Sequence, residues 1–355
     1  MPKWVCVALL EGRFFVVKFR LTIIVLTAAI LLSGMESHAQ PLRILMVETM
    51  PVPVVIDHEK FFLDGLAKLG YQIGETLIVD KIEARGDAGR AKNELEIYLS
   101  LHRPDIVVSF ATLASQAANK TLAGTGIPLV FCVVASPVKA GLIEEVGKPT
   151  KTNITGLVFS LMRQSKMDLA RELLTQPFPD RPVRVGVVHS SYPAAVEDVK
   201  KMSVAASRDG GIEFKTYQLE YRAMPDGLDE MLVDVQKGVA VLSPEIDYWW
   251  IVPGPLGETM EFSSLLLESD VPVGLCHTQD CTKGGGLFFV NPNYEESGHQ
   301  VAGIVDSILK GVAPGSIPPV PPDSFDFGIN LKTAIELHIV VPSDFMELAG
   351  KNIWR

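Results

Sequence analysis

Hydroxyl side chains placed where short apolar runs end are the first residues of this chain that could do chemistry. Between Pro104 and Gly141 the sequence reads PDIVVSFATLASQAANKTLAGTGIPLVFCVVASPVKAG. Ser109, Thr112 and Ser115 cluster at the end of the run Ile106–Phe110, and Ser136 follows the run Pro128–Val134. Hydroxyls beside a helix start, with its free N–H groups, donate to a small polar or anionic group. Thr112 can serve equally as a helix cap, because capping and ligand contact need the same exposed helix start.

Other candidates are scattered along the chain. Asp87, after Gly86, can cap a helix or accept from a ligand, and His189 is either a structural histidine or a ligand contact. Tyr192, in SSYP, is a better aromatic candidate than Trp249 or Trp250, which lie inside an expected strand and alternate between its two faces. Cys276, His277 and Cys281 share the segment CHTQDC. Three readings stay open there: a small disulfide loop, two free thiols, or a Cys-His-Asp-Cys metal site. The last lacks the second ligand pair of ordinary zinc sites, so no metal and no cofactor is expected. The chain has no G-x-S-x-G elbow, H-E-x-x-H, Walker loop or dinucleotide glycine fingerprint, so no enzymatic activity is expected.

The elements that must hold these residues follow an α/β cadence. Ile106–Phe110 and Pro128–Val134 read as strands buried on both faces of a parallel sheet, with a helix over 112–122 between them. Before them come strand 43–48, a helix begun at Asp57, strand 77–82 and a helix running through Leu99. After a short strand at Asn153–Phe159 and a helix at 163–174 the cadence restarts with strand 184–189. Further strands fall at 213–218, 247–252 and 271–276, each followed or preceded by a helix. Two successive cadences without a Pro/Ser-rich linker predict two similar doubly wound lobes, joined by strands that cross between them.

The start of the chain reads as an address rather than fold. Lys18 and Arg20 precede the apolar run 21–32, which ends at Ser37-His38-Ala39. That is the pattern of a cleavable secretory signal, and the run is shorter than the ~20 residues of a membrane span. Residues 1–39 are expected to be removed, leaving an exported, periplasmic protein. The net charge of −10 lacks the basic footprint of nucleic-acid binding.

The ordered segments TLASQAA, IPLVFCVVASPVKAGL, NITGL, DYWWIVPGP, GGGLFFVNPNYEESGHQVA and INLKTAIELHIVVP resemble the solute-binding proteins of ABC importers, including tryptophan-type amino-acid binders. The resemblance spans residues 42–342 and implies the type I periplasmic binding fold: two α/β lobes joined by three crossing segments, with the ligand in the cleft between them. It places lobe 1 at 40–157 plus 288–322 and lobe 2 at 158–287 plus 323–355. The crossings would lie near 155–159, 286–291 and 322–326. Carried over by position, it implies ligand contacts at Thr49, Met50, Asp87, Thr112, Ser115 and Ser136 of lobe 1. From lobe 2 it implies His189, Tyr192, Gly254 and His277. Relatives tend to carry a short polar residue where His189 stands and Asp where Gly254 stands. The implied partners are a small-molecule ligand and ABC permease subunits, with the protein itself a monomer. The alternative role is a ligand-sensing subunit for a membrane receptor. The chemistry read from the residues is a small carboxylate with an aromatic or branched apolar part, an aromatic-type amino acid leading.

Overall fold

A computed structural model describes residues 41–159 and 163–355, so the expected leader lies outside the described residues. The first sheet has five strands, all parallel: β1 (Leu42–Glu48), β2 (Leu77–Glu83), β3 (Ile106–Phe110), β4 (Leu129–Val134) and β5 (Ile154–Val158), in the order β2-β1-β3-β4-β5. Every residue of β3 is buried, as expected of a strand covered by helices on both faces. The covering helices are α1 (Pro53–Lys68), α2 (Ala88–Leu101) and α3 (Thr112–Thr121). Alternate residues of β1 divide between two cores: Ile44 and Met46 face one side, Leu45 and Val47 the other.

The second sheet is built from β6 (Val183–Ser190), β7 (Ile212–Leu219), β8 (Tyr248–Trp250), β9 (Val273–Cys276), β10 (Phe288–Pro292), β11 (Phe325–Asn330) and β12 (Ile353–Trp354). Its order is β12-β11-β10-β9-β8-β6-β7, parallel except that β10 and β11 run antiparallel. Around it lie α4 (Arg163–Leu174), α5 (Pro193–Asp209), α6 (Leu228–Leu242), α7 (Met260–Leu267) and the short α8 (Gln279–Lys283). Trp249 and Trp250 do alternate: the first belongs to the core under α6 and α7, the second to the core under α4 and α5.

The chain passes between the sheets three times. It leaves the first sheet after Val158 and enters the second lobe at α4. It returns after Pro292 into α9 (Tyr294–Leu309), which packs along α1. The contact is close because Gly65 faces Ala302 and Gly298 faces Phe61; a Cβ on either glycine would come within 2.7 Å of its neighbour. The stretch to Val320 then lies against β5, and the chain crosses again to β11. The middle passage falls later than the expected boundary at residue 288. β10 hydrogen-bonds to both β9 and β11, so 288–292 belongs to the second sheet and only α9 onward lies with the first. Two final helices, α10 (Leu331–Glu336) and α11 (Ser343–Ala349), pack beside β12 and β11. No helix among the described residues is long and apolar enough to cross a membrane.

Candidate functional site

The carboxyl ends of β3 and β4 carry unusual backbone. Ala111, between β3 and α3, has φ 69° and ψ 169°, and Val133, near the end of β4, has φ 57°. A β-branched residue with positive φ is an outlier, and such positions cost on the order of 1–3 kcal/mol each. The register between β4 and β5 shifts between Phe131 and Val134, which is how β4 accommodates Val133. Both strained residues line the same cavity.

The turn at Ala111 opens the N-terminus of α3 toward that cavity. No side chain of the N-cap residue closes the helix, and the N–H groups of Thr112 and Leu113 have no acceptor of good geometry among the described residues. Ala114 N–H donates to the Thr49 hydroxyl at 3.0 Å, fixing the end of β1 against the helix start. Against these donors lies the phenol oxygen of Tyr192, from the other lobe. Burial pushes the Tyr192 phenol up, while the N–H groups of Leu113 and Thr112 and the hydroxyls of Thr49 and Thr112 hold it down. The oxygen nevertheless makes no hydrogen bond of good geometry. Its ring packs edge-on to Tyr221, with centroids 5.1 Å apart.

The cavity is small, about 40 Å³, and mostly apolar, with Met50, Val54, Val55, Val133, Phe159 and Pro255 among its walls. First-lobe residues are joined there by Tyr192, Gly254, Glu258 and His277 of the second lobe. His277 Nε2 lies 2.7 Å from Glu258 Oε1, with both side chains buried. The other atoms of this pair, Glu258 Oε2 and His277 Nδ1, are buried without hydrogen-bond partners. The two lobes touch around the cavity. Lys201 of α5 donates to the Ser136 hydroxyl at 3.1 Å, and the Tyr221 hydroxyl donates to the Gly86 carbonyl at 3.2 Å.

Residues 49–353 match the family described as ABC transporter substrate binding protein. The chain belongs to this family. Among its relatives, the tyrosine-binding protein of Clostridioides difficile (strain R20291) is 22% identical over 297 residues, covering 83% of this chain and 79% of the relative. The solved ABC domain in complex with L-Trp from Streptococcus pneumoniae superposes with TM-score 0.72 at 22% identity, covering 88% of this chain and 99% of the other. A conserved domain protein from Vibrio cholerae superposes with TM-score 0.73 at 21% identity, covering 89% and 100%. At these identities the structural likenesses show the fold, a pair of α/β lobes of the type I periplasmic binding architecture.

In this substrate-binding protein, the residues expected from sequence divide into two groups. Thr49, Met50, Thr112, Tyr192, Gly254 and His277 line the cavity together. The other four lie elsewhere. Asp87 is the N-cap of α2, its Oδ1 accepting from Arg90 N–H at 2.6 Å. Ser115 is fully buried, and its hydroxyl meets the Ser109 hydroxyl at 2.9 Å and the Ala111 carbonyl at 2.8 Å. His189 is buried beside its own strand end, Nδ1 3.0 Å from the Ser190 carbonyl, and burial lowers its pKa. Ser136 lines a neighbouring recess with Lys139 and Glu197. Glu258 was not singled out by the sequence. It sits in a single 3-10 turn, Leu256–Glu258, that has no periodic pattern, and its partner is 19 positions away. Cys276 and Cys281 form a disulfide, which leaves Cys132 as the buried free thiol among the described residues, its thiol pushed up to about 12 by burial.

Proposed function

We propose that this protein is the exported binding component of an ABC importer and captures an aromatic-type amino acid in the cavity between its lobes. The observation that carries the reading is the start of α3: two N–H groups and two hydroxyls converge on one wall of a mostly apolar cavity. Such donors, at the positive end of a helix, suit a carboxylate. The apolar walls and Tyr192 suit a flat or branched side chain. The names of the tyrosine-binding and L-Trp-bound relatives agree with that chemistry.

Capture follows from the two-lobe build. A ligand carboxylate docks first on the α3 start of lobe 1, displacing the Tyr192 oxygen from the donors. Contacts from Tyr192 and the Glu258–His277 side then favour the closed arrangement, since closure responds only to differential affinity for that state. The three passages between the sheets are the places where the backbone turns. Calorimetry with tyrosine, tryptophan, phenylalanine and leucine against sugars of similar size tests the reading. Saturable binding of an aromatic amino acid supports it; binding of sugars alone overturns it.

A further inference from the structure

Glu258 is the feature that the carboxylate-binding wall does not use. It is 4% exposed, lines the cavity, and offers one oxygen to His277 while the other has no partner. A buried carboxylate oxygen left unpaired is costly, so such an arrangement is ordinarily completed by a donor. The protein supplies no second donor among the described residues. Gly254, four residues earlier on the same wall, has no side chain to offer. The surroundings reinforce the sign of the charge. An adjoining recess is lined by Glu258 with Asp57, Asp280, Glu295 and Asp326, against a single base, Lys351. Within this field the charges of Glu258, Asp57 and Asp326 all act on the Tyr294 phenol, adding to the burial that raises it.

We infer that Glu258, oriented by His277, is the residue that accepts the ligand's ammonium group, so that the cavity selects amino acids over plain carboxylates. This deepens the proposed function and rests on it for the identity of the ligand. The two walls then divide the work: the α3 start binds the carboxylate, and Glu258 offers its unpaired carboxyl oxygen to the amine. A hydrogen bond from a charged donor such as an ammonium is about twice as strong as a neutral one. His277 is a positioning residue here; its Nε2 fixes one carboxylate oxygen and leaves the other for the ligand.

The test pairs each amino acid with analogues that lack one group. L-tyrosine, its des-amino counterpart 3-(4-hydroxyphenyl)propionate and its decarboxylated counterpart tyramine are titrated into wild type and Glu258→Gln. Wild type should bind tyrosine about 10–100-fold more tightly than the des-amino acid, the size of one charge-assisted hydrogen bond. Glu258→Gln should erase that preference by weakening tyrosine and leaving the des-amino acid unchanged. His277→Gln should weaken tyrosine and tyramine in parallel, with smaller effect on the des-amino acid. Equal losses for tyrosine and the des-amino acid would overturn the inference, because Glu258 would then be structural. So would wild type that binds both equally, a comparison that needs no variant to fold. If no aromatic amino acid binds wild type, the proposed function fails first. The inference is then decided by tyramine and leucine: a loss of either on Glu258→Gln supports it, and no binding of any amine overturns it.

Discussion

The two walls of the cavity differ in how they are made. The first-lobe wall takes two of its donors from backbone, the N–H groups of a helix start beside a strained alanine and a strained valine, and two from the hydroxyls of Thr49 and Thr112. The second-lobe wall is side chain: Tyr192, Glu258 and His277 arrive from three separate turns, at the ends of β6, β8 and β9. A donor wall of peptide N–H groups cannot be changed by substitution without disturbing the helix, whereas an acceptor wall of side chains can. On the proposed reading, the invariant half of the chemistry, a carboxylate, therefore falls to lobe 1. The half that can be retuned from one ligand to another lies on lobe 2.

The largest expected effect lies where the chain passes between these walls. His58 of α1 is fully buried against Phe159 and Tyr294, which stand at two of the passages, and its Nδ1 is 2.6 Å from the Val54 carbonyl. Burial lowers its pKa to about 4, the Val54 carbonyl acting the other way. The folded state thus binds fewer protons than the unfolded one between about pH 4 and 6.5. Stability from this residue is complete above pH 6.5 and is lost as pH falls toward 4, by about 3 kcal/mol in all. Glu48 has the opposite sign: its carboxyl is pushed up to about 8 by burial and by Glu59, against Lys81. The measurement is therefore a difference. Urea unfolding of wild type and His58→Phe from pH 7 to 4.5 should show the acid loss only in wild type, and parallel curves would reject the assignment.

On the donor wall, Thr112→Val removes a buried hydroxyl that faces the Tyr192 oxygen. Ligand affinity should fall by about 1–3 kcal/mol, since a ligand oxygen is left with one donor fewer. Calorimetry with the bound amino acid decides this, and unchanged affinity would move the carboxylate away from α3. This half of the site was legible in sequence because it is local. Short buried strands, hydroxyls at their ends and a helix between them all fall within forty residues or so of chain, where pattern and spacing speak directly. What the sequence left open was the direction each hydroxyl takes. Ser115 turns inward to Ser109 and Ala111, and Asp87 turns back on its own helix, both satisfying local partners as short polar side chains at turns commonly do.

The acceptor wall was less legible for the same physical reason inverted. Glu258 and His277 are 19 residues apart and meet only through the packing of β8 and β9. Their support includes the Cys276–Cys281 disulfide, which ties the end of β9 to α8 across the residue that reaches Glu258. For so short a loop the chain-entropy gain is about 2 kcal/mol. Unreduced protein lacking residues 1–39 should show a single titratable thiol on denaturation, that of Cys132. The Cys276→Ser, Cys281→Ser double variant should unfold at lower urea by an equivalent amount. Its tyrosine affinity should fall more than its affinity for the des-amino acid, because the loop positions His277. Three titratable thiols in unreduced protein would rule the bridge out in solution.

The smallest effect is expected where the two walls touch. The Tyr192 oxygen faces the α3 donors but makes no hydrogen bond of good geometry, and on the proposed reading it stands where a ligand oxygen would dock. Its ring, by contrast, is fully packed against Tyr221 and forms part of the cavity. Tyr192→Phe keeps the ring and removes the competitor. Tyrosine affinity should stay within about threefold of wild type, and stability within about 1 kcal/mol, since no well-formed hydrogen bond is lost. Tyr192→Ala removes the ring as well and should weaken binding by about 1–3 kcal/mol through lost apolar contact. A tenfold loss in Tyr192→Phe would mean that the hydroxyl is itself a ligand donor. The division into a backbone donor wall and a side-chain acceptor wall would then have to be redrawn with Tyr192 on the donor side.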